Sequence, residues 1–295
     1  MNKKLSTADI IFYMCNAVFM LIFVIVTVYP VWNTVVLSLN EGADAQLGGI
    51  YFWPRVWSLK SLTSVLTKEG IKTGAWISFL RTVIGTTISL ISNAVLAFIV
   101  SRKKYLFRSQ MSLFWVITMY VNAGLIPTLL IYKNLGMVNS FSVYVIPGAV
   151  SAFNMLVIRT FMQGIPESLE ESAQLDGAGY VTIFIKIISP LCKPVYATMV
   201  LFAAVNQWNG WFDTMLYNRG NEKLTTLQYE LIKYLSSVTS SSSPQSPGST
   251  GVVSTVTPIT VRCAATVVTM LPIICLYPFL QRYFVTGLTI GGVKE

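Results

Sequence analysis

From Ile10 to Asn40 the chain carries no Asp, Glu, Lys or Arg, and that run is apolar all round rather than along one stripe. A helix with no polar face is solvated by lipid or buried on every side. Five more charge-free runs follow, each ended by charge: Thr82–Ser101 between Arg81 and Arg102, Ser109–Tyr132 between Arg108 and Lys133, and Phe141–Ile158 before Arg159. Pro194–Phe212 lies between Lys193 and Asp213, and Cys263–Gln281 between Arg262 and Arg282. Each is near the ~20 residues a helix needs to cross a ~30 Å hydrocarbon layer. Helices are the open-chain structure that satisfies backbone hydrogen bonds there. Charged residues total 11% and apolar ones 54%, against about 25% charged in ordinary globular domains. The expectation is one all-α, polytopic domain over 1–295 with six transmembrane helices, the first bent or ended near Pro30.

Lys3 and Lys4 before the first run imitate a signal peptide, but the run far exceeds a 7–15 residue signal core and ends in no small-residue cleavage site. We read it as an uncleaved helix. The net charge of +9 comes from Lys and Arg beside hydrophobic runs, as membrane helices carry them, without the aromatic-interleaved stripe of a nucleic-acid surface. Cys15, Cys192, Cys263 and Cys275 lie in or beside apolar segments without paired spacing and read as small buried hydrophobes. Histidine is absent, which removes the commonest general base and metal ligand.

Totals of Lys and Arg on the two sides nearly balance, so short loops decide orientation. Arg102, Lys103, Lys104 and Arg108 crowd one loop, whereas the next has only Lys133. The 102–108 run therefore reads as a topogenic cytoplasmic loop, with both termini on that side. Two long segments fall outside: 41–75, with Trp53, Pro54 and Trp57, and 218–260. The latter opens with Leu224, Leu227, Leu231 and Leu235 at helical spacing and continues into a Ser/Pro/Gly tract, 236–251, too polar to fold by burial. An external partner or this protein's own outer surface are both open as its contact.

No G-x-x-x-x-G-K-[ST] loop is present, so the chain does not bind and hydrolyse ATP itself. HExxH, CxxC and GxSxG are also missing, and a Ser-His-Asp triad is impossible without histidine. No carboxylate lies within the six runs, although an ion-coupled carrier is expected to hold ionisable groups at mid-membrane.

The most informative stretch is 164–182. Pro166 suits a helix start and Glu167 its positive dipole end. Leu169 and Ala173 make a narrow face, and Gly177 and Gly179 end the helix in a sharp turn. A second short helix then leads through Ile187 and Pro190 into the fifth run. The expected product is a cytoplasmic helix–turn–helix knob, small at its tip and acidic along one edge. These residues resemble the E-A-A-x-x-x-G-x9-I-x-L-P signature of ABC importer permease subunits. Glu171-Ser172-Ala173 is followed after three residues by Gly177, after nine more by Ile187, and Pro190 falls in register, with Ser172 for the first Ala and Ser189 for Leu. The tail from Gln281 to Lys294, Trp208-Asn-Gly-Trp-Phe-Asp213 and Tyr51-Phe-Trp-Pro54 are similar to MalG-type permeases of the carbohydrate-uptake group, within it to the LplC/YtcP-like branch.

The resemblance implies the MetI/MalG-like permease fold with a cytoplasmic coupling helix, in a bacterial cytoplasmic membrane. It implies a second homologous permease subunit forming a heterodimer, an ABC ATPase dimer and an extracytoplasmic sugar-binding protein as partners, and no nucleic acid. ATP and Mg would be bound by the ATPase, and this chain would hold no cofactor, no metal and no catalytic residue. Glu171, Ser172, Ala173, Asp176, Gly177, Ala178, Ile187 and Pro190 would couple to the ATPase, with Gly177 letting the two short helices pack closely and Glu170 either joining the contact or standing as a solvated edge. Asn122, Asn154, Asn206, Trp208 and Asn209 are candidates for the solute path, with Asn93 and Gln207 further polar residues in the runs. Trp208 and Trp211 also read as an aromatic belt. A permease for a non-sugar solute and a stand-alone carrier or membrane enzyme remain the competing classes.

Overall fold

The computed structural model describes residues 6–241 and 256–290, the side chains of 240–241 and 279–290 excepted. It is helical, with no strand among the described residues beyond one antiparallel bridge, Asn40 to Trp57. Of the expected Ser-rich tract, 242–251 lies outside the described residues. By packing, the chain falls into two units, 1–68 with 231–270, and 69–230 with 271–295.

In the first unit α1 (Thr7–Ser38) runs through Pro30 instead of ending there. From Ile10 to Trp32 its large apolar side chains stand exposed around the helix, Phe12 and Phe19 by about two thirds, the surface a lipid-solvated helix presents. Its last turns are tethered. Asn33 donates to the Ile50 and Tyr51 carbonyls at 3.0 and 3.2 Å, and the Trp32 indole donates to Phe52 O at 2.9 Å. Val36, Ala45 and Ile50 close a small core over α2 (Gly42–Gln46). After α3 (Lys60–Leu66), the Ser61 hydroxyl donates to Thr260 across 2.9 Å.

The second unit is built on α4 (Glu69–Ser101). The charge-bounded run Thr82–Ser101 is its apolar part, but the helix begins thirteen residues earlier, because charged Glu69 and Lys72 sit on exposed turns that a charge-free window excludes. Small residues on one face (Gly74, Ser78, Gly85, Ser89, Ala97) let other helices approach closely. The third expected span is not one straight helix: α5 (Arg108–Tyr120) and α6 (Leu125–Asn134) meet at 114°. Gly124 at φ +85° makes the corner, and its amide is held by the Asn122 side chain at 2.8 Å. The fourth expected span, Phe141–Ile158, is likewise not continuous. Pro147 and Gly148 separate α7 (Ser142–Val145) from α8 (Ala152–Gln163). A twelve-residue helix is about 18 Å long, too short to cross alone.

After α8 come α9 (Glu167–Leu175), α10 (Tyr180–Thr182), a π-helical turn over Ile183–Ile188 and α11 (Ser189–Leu191). The chain then bends by 80° at Cys192 into α12 (Lys193–Asn209). Pro190 and Pro194 explain both irregularities, since each removes an amide from the i→i−4 ladder. α12 and α8 pack along α4. α13 (Phe212–Tyr217) and a 3-10 turn at Glu222–Leu224 precede α14 (Leu227–Ser241), which buries Leu227 and Leu231. Residues 236–241 of the supposedly unfolded tract are thus the end of a helix. α15 (Pro258–Ile290) is last. Three described helices, α1, α4 and α15, are long and apolar enough to cross a membrane, and five if each bent pair counts as one crossing.

Candidate functional site

α9 and the turn that leads into α10 fall within the stretch 164–182. Pro166 is the N-cap of α9, one position earlier than a first-turn proline. Glu167 and Glu170 lie in the first turn, where acidic groups complement the exposed amides. Ala173 alone on α9 is fully buried, and its methyl joins Phe98, Met155, Ile158, Met162, Ile183 and Ile188 in one core. At the other end the Ala178 amide donates to Ala173 O at 2.9 Å and the Gly177 amide to Gln174 O at 3.0 Å, the paired bonds of a Schellman cap. That cap requires a left-handed residue, and Gly177 has φ +82°.

This corrects the packing role expected of Gly177. A Cβ there meets nothing within 4 Å, so backbone conformation, not close approach, calls for glycine. Gly179 has ordinary extended backbone and equally open surroundings, and it is not needed as glycine. The tip is also not small. Leu175 is 89% exposed and Val181 72%, beside half-exposed Tyr180. Large apolar groups exposed together mark an interaction surface, for protein or membrane. Glu171, Ser172 and Asp176 are exposed, Ala178 and Ile187 half-buried against the core, and Pro190 exposed. Glu171 makes no hydrogen bond or ion pair among the described residues.

Glu170 is neither a free contact nor a solvated edge. Its carboxylate is ion-paired with Arg102, both side chains largely buried at 12% and 15% exposure. Gln174 braces the other oxygen at 3.2 Å, and the Arg102 guanidinium lies over the Phe98 ring. Lys103 reaches Glu167 at 2.8 Å and Lys104 reaches Gln174 at 3.0 Å. The 102–108 loop therefore holds α9, around a groove of about 340 Å³. The signal was present in the sequence as a basic run at 102–104 and an acidic run at 167–171. Nothing local pairs residues 68 positions apart.

A second network had no sequence prediction. Arg81, only 3% exposed, donates to Asp213 with both terminal nitrogens at 2.5 and 3.1 Å and to Gln207 Oε1 at 3.0 Å. Gln207 donates to Tyr144 O at 3.1 Å, and the Tyr144 hydroxyl donates to Leu224 O at 2.6 Å. These bonds tie α4, α7, α12 and α13 together. Asn93 is also internal, donating to Ser89 O at 2.6 Å and accepting the Ser151 amide at 3.0 Å. Trp208 is 9% exposed, which removes it from an aromatic belt, whereas Trp211 is 37% exposed. Asn206 and Asn209 are exposed with Phe202 on one face of α12, with Asn209 accepting from Gln228 at 3.2 Å. Asn154 is half-buried in the first turn of α8, and Asn122 sits at the α5–α6 corner.

Comparisons with known proteins cover nearly the whole chain. The sequence matches no family model. It is 31% identical over 278 residues to the polygalacturonan/rhamnogalacturonan transport system permease protein YtcP of Bacillus subtilis, covering 94% of this chain and 96% of that one. Protein LplC of Bacillus subtilis is 30% identical over 98% of this chain and 97% of its own length. The chain belongs to the permease subunits of carbohydrate ABC transporters. A chain in the crystal structure of a bacterial ABC transporter involved in the import of the acidic polysaccharide alginate superposes with a TM-score of 0.82 and 30% identity, covering 96% of this chain and all of that one. This family supplies multi-pass membrane subunits of transporters, not enzymes, and the chain is a transport subunit of that kind.

Proposed function

We propose that this chain forms half of the pathway of an oligosaccharide importer and passes ATP-driven motion from a separate ATPase to its membrane helices through α9. The observation that carries the reading is full-length similarity to sugar permeases in a chain whose knob is capped, clamped and exposed at its tip. Glu171, Leu175 and Val181 form the contact offered to the ATPase. Arg102, Glu170 and Ala173 join that contact to α4. Movement of α9 as a rigid lever then tilts α4, α8 and α12 between inward- and outward-open arrangements.

The geometry of α4 supports one placement in the bilayer. Its two arginine ion pairs, at Arg81 and Arg102, are 21 residues apart, or about 31 Å along a helix, close to the ~30 Å of a hydrocarbon layer. Arg81 and Asp213 mark the outer boundary, and the basic loop the cytoplasmic one. Six crossings bring both termini to the cytoplasm, counting α7–α8 and each bent pair as one crossing. The exposed face of α12 with Asn206 and Asn209 faces the pathway and a second, homologous permease. An external binding protein delivers solute, and ATP and Mg stay with the ATPase. The test is reconstitution of this chain with the subunits that co-purify with it. Stimulation of ATP hydrolysis by a loaded sugar-binding protein supports the reading, and stimulation only by non-sugar solutes rejects the sugar assignment.

A further inference from the structure

Along α5 and α8, two buried nitrogens and one further guanidinium have no hydrogen-bond acceptor among the described residues. Arg159, on α8, has its Nε buried without an acceptor, and so has the indole nitrogen of Trp115 on α5. Arg108 opens α5 and lines the rim of the clamp groove. Its guanidinium has no carboxylate or other acceptor among the described residues. The two arginines are near enough to oppose each other's charge, and α5 packs on α8. Glu171 lines the same groove as Arg108 but pairs with neither arginine, and two like charges held close favour the entry of an anion.

Trp115 lies seven residues after Arg108, two turns along the same face of α5. Counting along α5 from the basic loop, Arg108 comes first and the Trp115 indole follows about 10 Å further in, with Arg159 beside them on α8. Three basic neighbours, Arg102, Lys103 and Lys104, are already engaged with Glu170, Glu167 and Gln174, so within this cluster Arg108 and Arg159 are the cations left to take a ligand. The occupant this pattern fits is amphipathic, with a singly charged phosphodiester for the guanidiniums and an ester carbonyl below it for the indole.

We propose that Arg108 and Arg159 bind the phosphodiester headgroup of an anionic phospholipid at the cytoplasmic edge of the α5–α8 seam, beside the groove that holds α9. The site rests on the membrane placement above. A bound lipid relieves the repulsion between the arginines and fixes α5 against α8, the helix that carries Ala173's core partners Met155, Ile158 and Met162.

The test uses the full chain with the subunits that co-purify with it, stripped of lipid in detergent and titrated with phosphatidylglycerol, phosphatidylcholine or inorganic phosphate while thermal unfolding is followed. The expected result is a saturable rise in melting temperature with phosphatidylglycerol alone. Arg108→Gln and Arg159→Gln should each raise the half-saturating lipid fraction roughly five-fold, the effect of about one surface cation on an anionic lipid, while Arg159→Lys changes it less. Arg108→Gln lies at the groove rim and remains informative if Arg159→Gln does not fold. The proposal is overturned if both variants titrate like the parent, or if inorganic phosphate gives the same shift. It is equally overturned if the shift appears with this chain alone and vanishes once an ATPase subunit is bound, since the arginines then serve an acidic protein surface. Recovery of an ATPase subunit in the same preparation reports on the permease reading independently of the lipid result.

Discussion

Replacing Gly177 separates two reasons for a glycine at the end of α9. If α9 and the turn after it must approach closely, damage grows with side-chain volume. If the left-handed backbone is what matters, damage follows tolerance of positive φ, and Asn, larger than Ala, does less harm. The structure selects the second, with φ +82° and no atom within 4 Å of an added Cβ. An ordinary L-residue pays about 1–2 kcal/mol in that region, a factor of about 5–30 in the population of an opened cap; Asn loses less, because its side chain tolerates the conformation. A β-branched residue loses most. The readout is amide hydrogen exchange at Gly177 and Ala178, whose two cap bonds report closure directly. Protection should fall in the order Gly, Asn, Ala, Val, and solute-dependent ATP hydrolysis in the assembled transporter should follow it. Asn proving worse than Ala, with Ala neutral, refutes the reasoning and restores close packing as the cause.

The Arg102–Glu170 pair is partly buried, so reversing either charge should destabilise α9 by about 1–3 kcal/mol, between the values for exposed and buried pairs. A double-mutant cycle with both charges exchanged should recover part of that loss, and additive single effects contradict the clamp. Removing Lys103 or Glu167, exposed at 71% and 52%, should change melting by no more than about 0.5 kcal/mol. Arg81→Met strands the Asp213 carboxylate, which is 25% exposed, and a loss of about 1–3 kcal/mol should appear as poor recovery of folded protein, partly repaired by Asp213→Asn. Gln207→Leu should cut stability by about 1–3 kcal/mol through unpaired partners, measured by unfolding in detergent. Asn206→Leu should leave stability unchanged and alter the KM for solute uptake.

Hydrophobic runs bounded by charge were legible because lipid forbids polar backbone and charge over ~20 residues. The knob was legible because capping residues act locally: Pro166, Glu167 and Gly177 stand within one short helix and its ends. What the sequence did not reveal depends on chain distant in sequence. α4 begins before its charge-free run because its first turns sit at exposed positions where Glu69 and Lys72 cost little. The breaks at 121–124 and 146–151 contain Gly124, Pro147 and Gly148, which mark a possible bend without giving its angle. Arg81 reads in sequence as the end of a span, yet it is the centre of a buried network completed by Gln207 and Asp213, more than 120 residues away. For the same reason the polar residues of the spans could not be sorted. Asn93 and Gln207 are spent on internal hydrogen bonds and Asn206 is exposed, although all three look alike in a hydrophobic run.

The most direct measurement on the central claim is site-specific cross-linking from the tip of α9. A photoreactive residue at Leu175 in the assembled, membrane-embedded transporter should capture an ATPase subunit, with the yield changing when ATP is bound and hydrolysis is blocked. Position Ile91, on an exposed face of α4 within its apolar run, serves as the control and should capture none. Capture at Leu175 with that nucleotide dependence confirms α9 as the point where ATP-driven motion enters the chain. No ATPase adduct from Leu175, Glu171 or Val181 in a transporter that still imports solute contradicts it.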